Sequence, residues 1–166
     1  EAGALGVKID WGDPDNLPAI LGHIWKDPDE IEVPEDFLDR LEITTVLDSI
    51  RMLRDELGDK VAVFGKAYGP WSLAYHFFGI ERFMMDTFSD PIKVHAILER
   101  LKEFTILFGK AQIAAGADAL NICEHITADL IRPQAYSTFL MNVDQQIKAE
   151  LPVPIILHCC GKTMDR

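Results

Sequence analysis

The chain has 166 residues, 48% of them hydrophobic and 26% charged, which suits one globular domain with a core of its own. Its 27 acidic residues against 16 basic ones give a formal charge of −11 and exclude the basic stripe that a nucleic-acid-binding face needs. No apolar run reaches the roughly 18 residues of a membrane-spanning helix. The first residues lack the basic and apolar regions of a signal peptide.

Three cysteines, two of them adjacent, give no disulfide framework and point to a reducing, cytoplasmic setting. The chain begins with Glu1 instead of Met and stops soon after Gly161, so both ends read as cut from something longer. Residues 1–42 read as a loop-rich N-terminal part. Asp10, Gly12, Asp13, Pro14, Asp15 and Asn16 are turn formers. Residues 17–21 suggest a helical turn, and 27–34 an acidic, proline-flanked loop. Trp11 and Trp25 suit either a pocket wall or a pin that holds a loop to the body.

From Ile43 the pattern becomes helical. Ile43, Val46, Leu47, Ile50, Leu53 and Leu57 recur on one helix face, and Gly58 ends it. Residues 61–64, β-branched and aromatic, read as a strand. Gly69 and Pro70 then mark a strand-to-helix turn, with Pro70 suited to the first helical position. Tyr68 falls at the strand's C-terminal lip, and the helix behind it offers free N–H groups to an anionic group; a plain connecting turn has the same sequence profile. Short apolar helices follow over 73–78 and 83–88. Asp90 caps a long helix with Pro91 at its first position, and Gly116 closes it. His95 lies within that helix and reads as surface or packing.

Residues 117–124 form the next strand. Glu124 and His125 stand at its C-terminal end, where a carboxylate in a cleft is a candidate general base, substrate anchor or metal ligand. Asp129 is a weaker candidate in the same loop, and Cys123 reads as packing. Pro133 opens another amphipathic helix through Tyr136, Phe139, Leu140, Val143 and Ile147.

Pro152 and Pro154 then introduce Ile155, Ile156 and Leu157, the profile of a buried parallel strand. Residues two apart in a strand share a face. His158 and Cys160 therefore project together, with Cα atoms roughly 6.6 Å apart, while Cys159 points the other way. One imidazole nitrogen and one thiolate placed so can converge on a zinc ion at about 2.0 and 2.3 Å. A chance His-x-Cys, with a packing thiol and a hydrogen-bonded histidine, has the same spacing.

Strands alternating with crossover helices imply a parallel sheet. Chemistry-bearing residues at successive strand ends favour a (β/α)8, TIM-type barrel over a doubly wound sheet, and no G-x-G-x-x-G follows any strand. Only about three strand–helix units are present against the eight of a barrel. The chain is therefore expected to be a single domain over 1–166 that holds part of a barrel, with the alternating units over 43–166.

Four pieces carry a family resemblance: Gly69, Pro70, Trp71 and Ser72; Ala115 to Ala119 before a strand; Asp129 to Pro133 opening a helix; and His158, Cys159, Cys160 and Gly161 at a strand end. Together they resemble the uroporphyrinogen decarboxylase superfamily over roughly residues 60–166, and within it the zinc-dependent methylcobamide methyltransferases. The resemblance implies zinc held by His158 and Cys160, with a further Cys much later in the chain. It implies transfer of a methyl group from a methylated corrinoid, brought by a separate corrinoid carrier protein, to a zinc-activated thiol such as coenzyme M. Glu124 and His125 are then catalytic candidates at that site. Tyr68 and Asp129 become candidates for contact with the substrate or corrinoid, and a homodimer is one possible assembly. No Cys follows Cys160, so the distal ligand is missing here. Metal-free decarboxylation of a tetrapyrrole, methyl transfer to tetrahydrofolate, and a non-catalytic partial barrel that binds a corrinoid protein are the alternatives.

Overall fold

The computed structural model describes residues 1–16 and 18–163. Leu17, in the turn-like stretch near the N-terminus, lies outside them. Residues 19–21 are extended, not helical: β1 (Lys8–Asp10) and β2 (Ala19–Leu21) pair antiparallel, with Ile9 opposite Ile20. Cross-strand pairing overrides the weak helical preference of this short segment. The connecting loop is tied by its own acids. Asp10 Oδ1 accepts from Gly12 N at 2.9 Å, and Asp13 Oδ1 accepts from Asp15 N at 2.9 Å and Asn16 Nδ2 at 2.8 Å. Trp11, on that loop, is 69% exposed. Trp25 packs on Phe77 with ring centroids 4.5 Å apart and so pins its segment to the body.

The body is a three-stranded parallel sheet in the order β3 (Phe64–Tyr68), β4 (Ala119–Cys123), β5 (Ile155–His158). Helix α1 (Leu41–Leu57) precedes β3, burying Ile43, Leu47 and Ile50, and Gly58 caps it at φ +56°. Helices α2 (Pro70–Phe78), α3 (Ile80–Ser89) and α4 (Pro91–Ala114) connect β3 to β4. Asp90 caps α4 by accepting from Lys93 N at 3.1 Å. Between β4 and β5 runs a continuous helical stretch over 133–150. It comprises α5 (Pro133–Ala135), a π-helical turn (Tyr136–Leu140) and α6 (Met141–Glu150). His95 is exposed and lies 4.9 Å from the Phe139 ring, a packing contact.

The sequence pattern puts the first of these strands at 61–64, but pairing begins only at Phe64, opposite Ala119. The β-branched run before it is an entry segment held at Val63, whose N donates to Asp118 Oδ2 at 2.8 Å and whose carbonyl accepts from Asp118 N at 2.8 Å. Arg54, in the last turn of α1, ion-pairs with the same Asp118 carboxylate and donates to the Gly116 carbonyl at 2.7 and 3.1 Å. This network fastens the N-terminal ends of the strands. It also holds the Asp118 carboxyl below its usual range, first through the Val63 amide and then through Arg54.

Alternation assigns the two sheet faces. Gly65, Ala67, Leu120 and Ile122 face the helices and are buried. Phe64, Lys66, Tyr68, Asn121, Cys123, Ile156 and His158 share the opposite face through the register Lys66–Asn121–Ile156 and Tyr68–Cys123–His158. Small residues on the helix side let α4 lie close. A Cβ added to Gly65 would stand 2.6 Å from Leu120 Cδ2 and 2.7 Å from Gln112 Oε1. Fully buried Gln112 also closes the outer edge of β3, accepting from Lys66 N at 2.8 Å and donating to Lys66 O at 3.0 Å, and Thr105 Oγ1 donates to Tyr68 O at 2.8 Å. These side chains satisfy backbone groups that a neighbouring strand would otherwise take.

β5 departs from its apolar composition. Ile156 is 48% and Leu157 42% exposed, although the run reads as a buried strand. It is an outer strand of the sheet, paired only with β4 among the described residues. Three parallel strands with helices on one face form part of a (β/α) barrel, with the other face standing as its inner wall. Gly65→Ala is expected to cost about 1–3 kcal/mol through overpacking against Leu120 and Gln112. Urea unfolding midpoints of the two proteins check this, and an unchanged midpoint would mean that α4 can move away freely.

Candidate active site

The C-terminal ends of the three strands bring the sequence-derived candidates to one end of the sheet. His158 closes β5, and the backbone turns so that its Nε2 lies 3.1 Å from Cys160 Sγ. Both side chains are exposed. Cys159 is turned to the other side, where it packs partly against the core beside Ile126, Tyr136 and Leu157. The imidazole and the thiol thus converge on the barrel's inner side. Nitrogen and sulfur ligands of one tetrahedral zinc would stand about 3.5 Å apart, a small adjustment from what is seen. The donor types and their direction fit zinc, but a closed site needs more. Among the described residues no group of three His, Cys, Asp or Glu side chains is placed to hold a metal.

Glu124 follows β4, and its amide donates to His158 O at 2.9 Å, which extends the β4–β5 pairing. Its side chain turns the other way, under the start of α2. There Oε1 accepts from Trp71 N at 3.2 Å, and Oε2 accepts from Ser72 N and Ser72 Oγ, both at 2.9 Å. The acceptor group at this helix N-terminus is therefore supplied by the chain itself. Glu124 is 2% exposed, so its carboxyl serves α2 instead of the His158–Cys160 pair. Burial pushes its pKa up to about 8, with the Asp144 carboxylate acting in the same direction and the Ser72 and Trp71 donors opposing. Asp144 is itself pushed up to about 6 by burial, against the Tyr136 hydroxyl that donates to it at 3.0 Å.

Ser72 Oγ also accepts from His125 N at 2.7 Å. One hydroxyl thus links α2, Glu124 and the segment that carries His125. The His125 ring is exposed. It stands 6.3 Å from Tyr68, 6.3 Å from His76 and 6.5 Å from Tyr75, between ring centroids. Tyr68 meets His76 edge-on at 5.4 Å, and Tyr75 OH accepts from Trp71 Nε1 at 2.7 Å. Burial lowers the His76 pKa, and a charge on His125 lowers it further. His76 is absent from the sequence candidates. Its signal is its place one helical turn after Ser72, on the helix that opens at the lip of β3.

Asp129 lies in the loop after β4. Its N–H takes Thr127 Oγ1 as acceptor at 3.3 Å, and Ala128 N donates to Lys162 O at 2.9 Å. This loop therefore rests on the turn after Cys160, where a Cβ on Gly161 would meet Thr127 Oγ1 at 2.6 Å. Tyr68, His125, Asp129, His158 and Cys160 all stand around the strand ends. Glu124 braces them from behind.

Parallel strands, helices on one face and polar side chains gathered at the C-terminal strand ends define one class of protein, part of a (β/α) barrel with its chemistry at the barrel mouth. The family model described as uroporphyrinogen decarboxylase (URO-D) matches residues 1–165, and the chain belongs to that family. It is similar to the methylated-thiol–coenzyme M methyltransferase of Methanosarcina mazei, with 30% identity over 97% of this chain and 44% of the relative. It is 29% identical to the methylcobamide:CoM methyltransferase MtaA of Methanosarcina barkeri, over 96% of this chain and 48% of that protein. A uroporphyrinogen decarboxylase of Christiangramia forsetii is 29% identical over 75% of this chain and 39% of its own length. Among solved structures, a methyltransferase from Methanosarcina mazei superposes with a TM-score of 0.89 at 28% identity, over 96% of this chain and 48% of that one. The chain thus spans a little under half the length of the methyltransferases it matches.

A carboxyl raised on folding from 4.5 to about 8 stabilises the fold fully at low pH and loses that contribution as pH rises through about 8. Stability is therefore expected to fall between about pH 4.5 and 8. Glu124→Gln, which cannot ionise, should flatten the slope without abolishing it, because Glu1, pushed up to about 7, and Asp144, pushed up to about 6, add smaller contributions of the same sign. Urea midpoints at pH 5, 6.5 and 8 check this; parallel slopes for the two proteins would contradict it.

Proposed function

We propose that this chain is the part of a corrinoid methyltransferase that carries two of its zinc ligands, and that the whole protein moves a methyl group from a methylated corrinoid to a thiol. The observation that carries this proposal is the convergence of His158 Nε2 and Cys160 Sγ, 3.1 Å apart at the end of β5. The similarity to methyltransferases named for coenzyme M supports it. His158 and Cys160 would hold zinc with at least one ligand from outside the described residues. Zinc bound there would lower the pKa of an incoming thiol, which alone is mostly protonated at neutral pH.

The chain's own residues then have separate tasks. Glu124 is a positioning residue: through Ser72 it fixes the His125 segment, and through its amide it fixes the carbonyl of His158. His125, exposed at the mouth, is the side chain suited to take the proton that the thiol gives up. Tyr68 and Asp129 form the walls on either side, Tyr68 against His76 and Asp129 over the turn that follows Cys160. The corrinoid would arrive on a carrier protein that docks over the open strand ends.

A second possibility is tetrapyrrole decarboxylation, favoured by the similarity to a uroporphyrinogen decarboxylase. The exposed His–Cys pair has no task in that chemistry, which needs no metal. Zinc content separates the two. In the full-length protein that contains this chain, elemental analysis is expected to find one zinc per chain, and His158→Ala and Cys160→Ala should each reduce it at least tenfold, a loss typical of a removed ligand. Full zinc in both variants would refute the assignment. An absence of zinc from the unmodified protein would bring the decarboxylase forward.

A further inference from the structure

All three cysteines of the chain stand at the ends of two adjacent strands. Cys123 closes β4, and Cys159 and Cys160 follow β5. No disulfide joins them. In a reducing compartment disulfides are transient and serve redox sensing or catalysis, so a cluster of thiols there is a candidate for reversible oxidation. Only one of the three is open to attack. Cys160 is exposed, Cys159 half-buried and Cys123 buried, and oxidation of a thiol follows its exposure.

An oxidised Cys160 needs a second thiol on its own side. Cys159 is its neighbour in sequence, but that side chain turns the other way, beside Ile126, Tyr136 and Leu157. Thiols whose Cβ atoms point apart cannot be joined without moving the backbone. Cys123 shares the side of Cys160. It pairs in register with His158, one strand spacing of about 4.8 Å away, and His158 Nε2 is the atom that lies 3.1 Å from Cys160 Sγ. The chain does not run straight on after His158. A Cβ on Gly161 would meet Thr127 Oγ1 at 2.6 Å, and Lys162 O accepts from Ala128 N at 2.9 Å. The segment that carries Cys160 thus leans over the continuation of β4. Burial raises the Cys123 pKa most, Lys66 opposes it, and Cys160 is among the groups that add to the rise, so the two sulfurs lie within electrostatic reach. The Cys123 thiol makes one hydrogen bond among the described residues, to Asn121 Oδ1 at 3.9 Å. Thiols are weak donors, and a rotation about χ1 releases this one.

We infer that Cys160 and Cys123 form a reversible disulfide when a hydroperoxide reaches the barrel mouth, a redox switch that takes Cys160 away from the metal position. Cys160 Sγ attacks one peroxide oxygen, giving a sulfenic acid and, from hydrogen peroxide, one water. The Cys123 thiol then attacks that sulfur; the S–S bond forms and the second oxygen leaves as water. Two thiols are oxidised, and one peroxide is reduced to two waters. An added thiol reverses the bond by exchange. Burial keeps Cys123 reduced until Cys160 has reacted. The bridge also spares Cys160 from sulfinic acid, which thiols do not return. The disulfide depends on the thiols alone, whereas its effect on zinc rests on the proposed zinc binding.

The test uses the full-length protein that contains this chain, stripped of metal by a chelator and treated with hydrogen peroxide. Mass spectrometry of peptides kept unreduced should find the peptide of Cys123 linked to that of Cys160, and dithiothreitol should remove the link. Cys159→Ala should keep it, while Cys160→Ala and Cys123→Ser should lose it. In Cys123→Ser the exposed Cys160 should pass on to sulfinic acid, so the Cys160 thiol recovered by dithiothreitol should fall about fivefold or more. No link, a link between Cys159 and Cys160, or a bridge from Cys160 to a cysteine elsewhere in the protein would overturn the inference and leave the zinc assignment standing. In a second arm, peroxide should release zinc from the loaded protein, and dithiothreitol should restore binding in the unmodified protein but not in Cys123→Ser. A Cys123–Cys160 bridge in a protein that binds no zinc would keep the disulfide and refute the zinc assignment.

Discussion

The fold is organised around a buried carboxyl group at a helix N-terminus. Glu124 lies under the first turn of α2 and satisfies two of the amide groups that a helix leaves unpaired at its start. It also holds the Ser72 hydroxyl, which in turn holds the amide of His125. Its own amide continues the pairing of β4 with β5 up to His158. One side chain and its backbone therefore couple the β3–α2 turn, the end of β4 and the end of β5. Space is tight as well as specific: a Cβ on Gly69 would fall 2.2 Å from Glu124 Oε1, so only glycine lets the turn pass over this carboxyl.

The two ends of the sheet are held by different chemistry. At the N-terminal end, Arg54 and Asp118 tie α1, the entry to β3 and the turn before β4 into an ion-paired network of backbone acceptors and donors. No site candidate lies there. At the C-terminal end, buried Glu124 keeps the mouth in register while His125, His158 and Cys160 remain exposed. This division follows the general logic of barrels, in which one end carries stability and the other chemistry. The same alternation that buries Gly65, Ala67, Leu120 and Ile122 against the helices presents Lys66, Tyr68, Asn121 and His158 on the inner side.

Much of this is legible in the residues. The helical period from Ile43 to Leu57, the Asp90–Pro91 cap and the alternation of strands with helices give the architecture, and the two-residue period at a strand end gives the His158–Cys160 pair. The pieces that escape sequence reasoning have tertiary causes. β3 has the unpromising sequence Phe64 to Tyr68 because its small residues admit α4, and pairing with Ala119 sets its start; the more strand-like residues 61–63 are only its lead-in. Residues 19–21 are extended because Ile20 finds Ile9. The Glu124 carboxyl and the free N–H groups of α2 are each visible in the sequence as separate opportunities for a ligand. Only the three-dimensional arrangement reveals that they satisfy one another. His76 becomes noticeable only when Tyr68 and His125 are found around it.

The proposed function rests on the binding of one zinc ion by His158 and Cys160. The most direct measurement is the zinc X-ray absorption spectrum of the full-length protein that contains this chain. The expected first coordination shell has both nitrogen and sulfur, at about 2.0 and 2.3 Å, with the imidazole scattering diminished in His158→Ala. A shell of light atoms alone, with no sulfur, would contradict it.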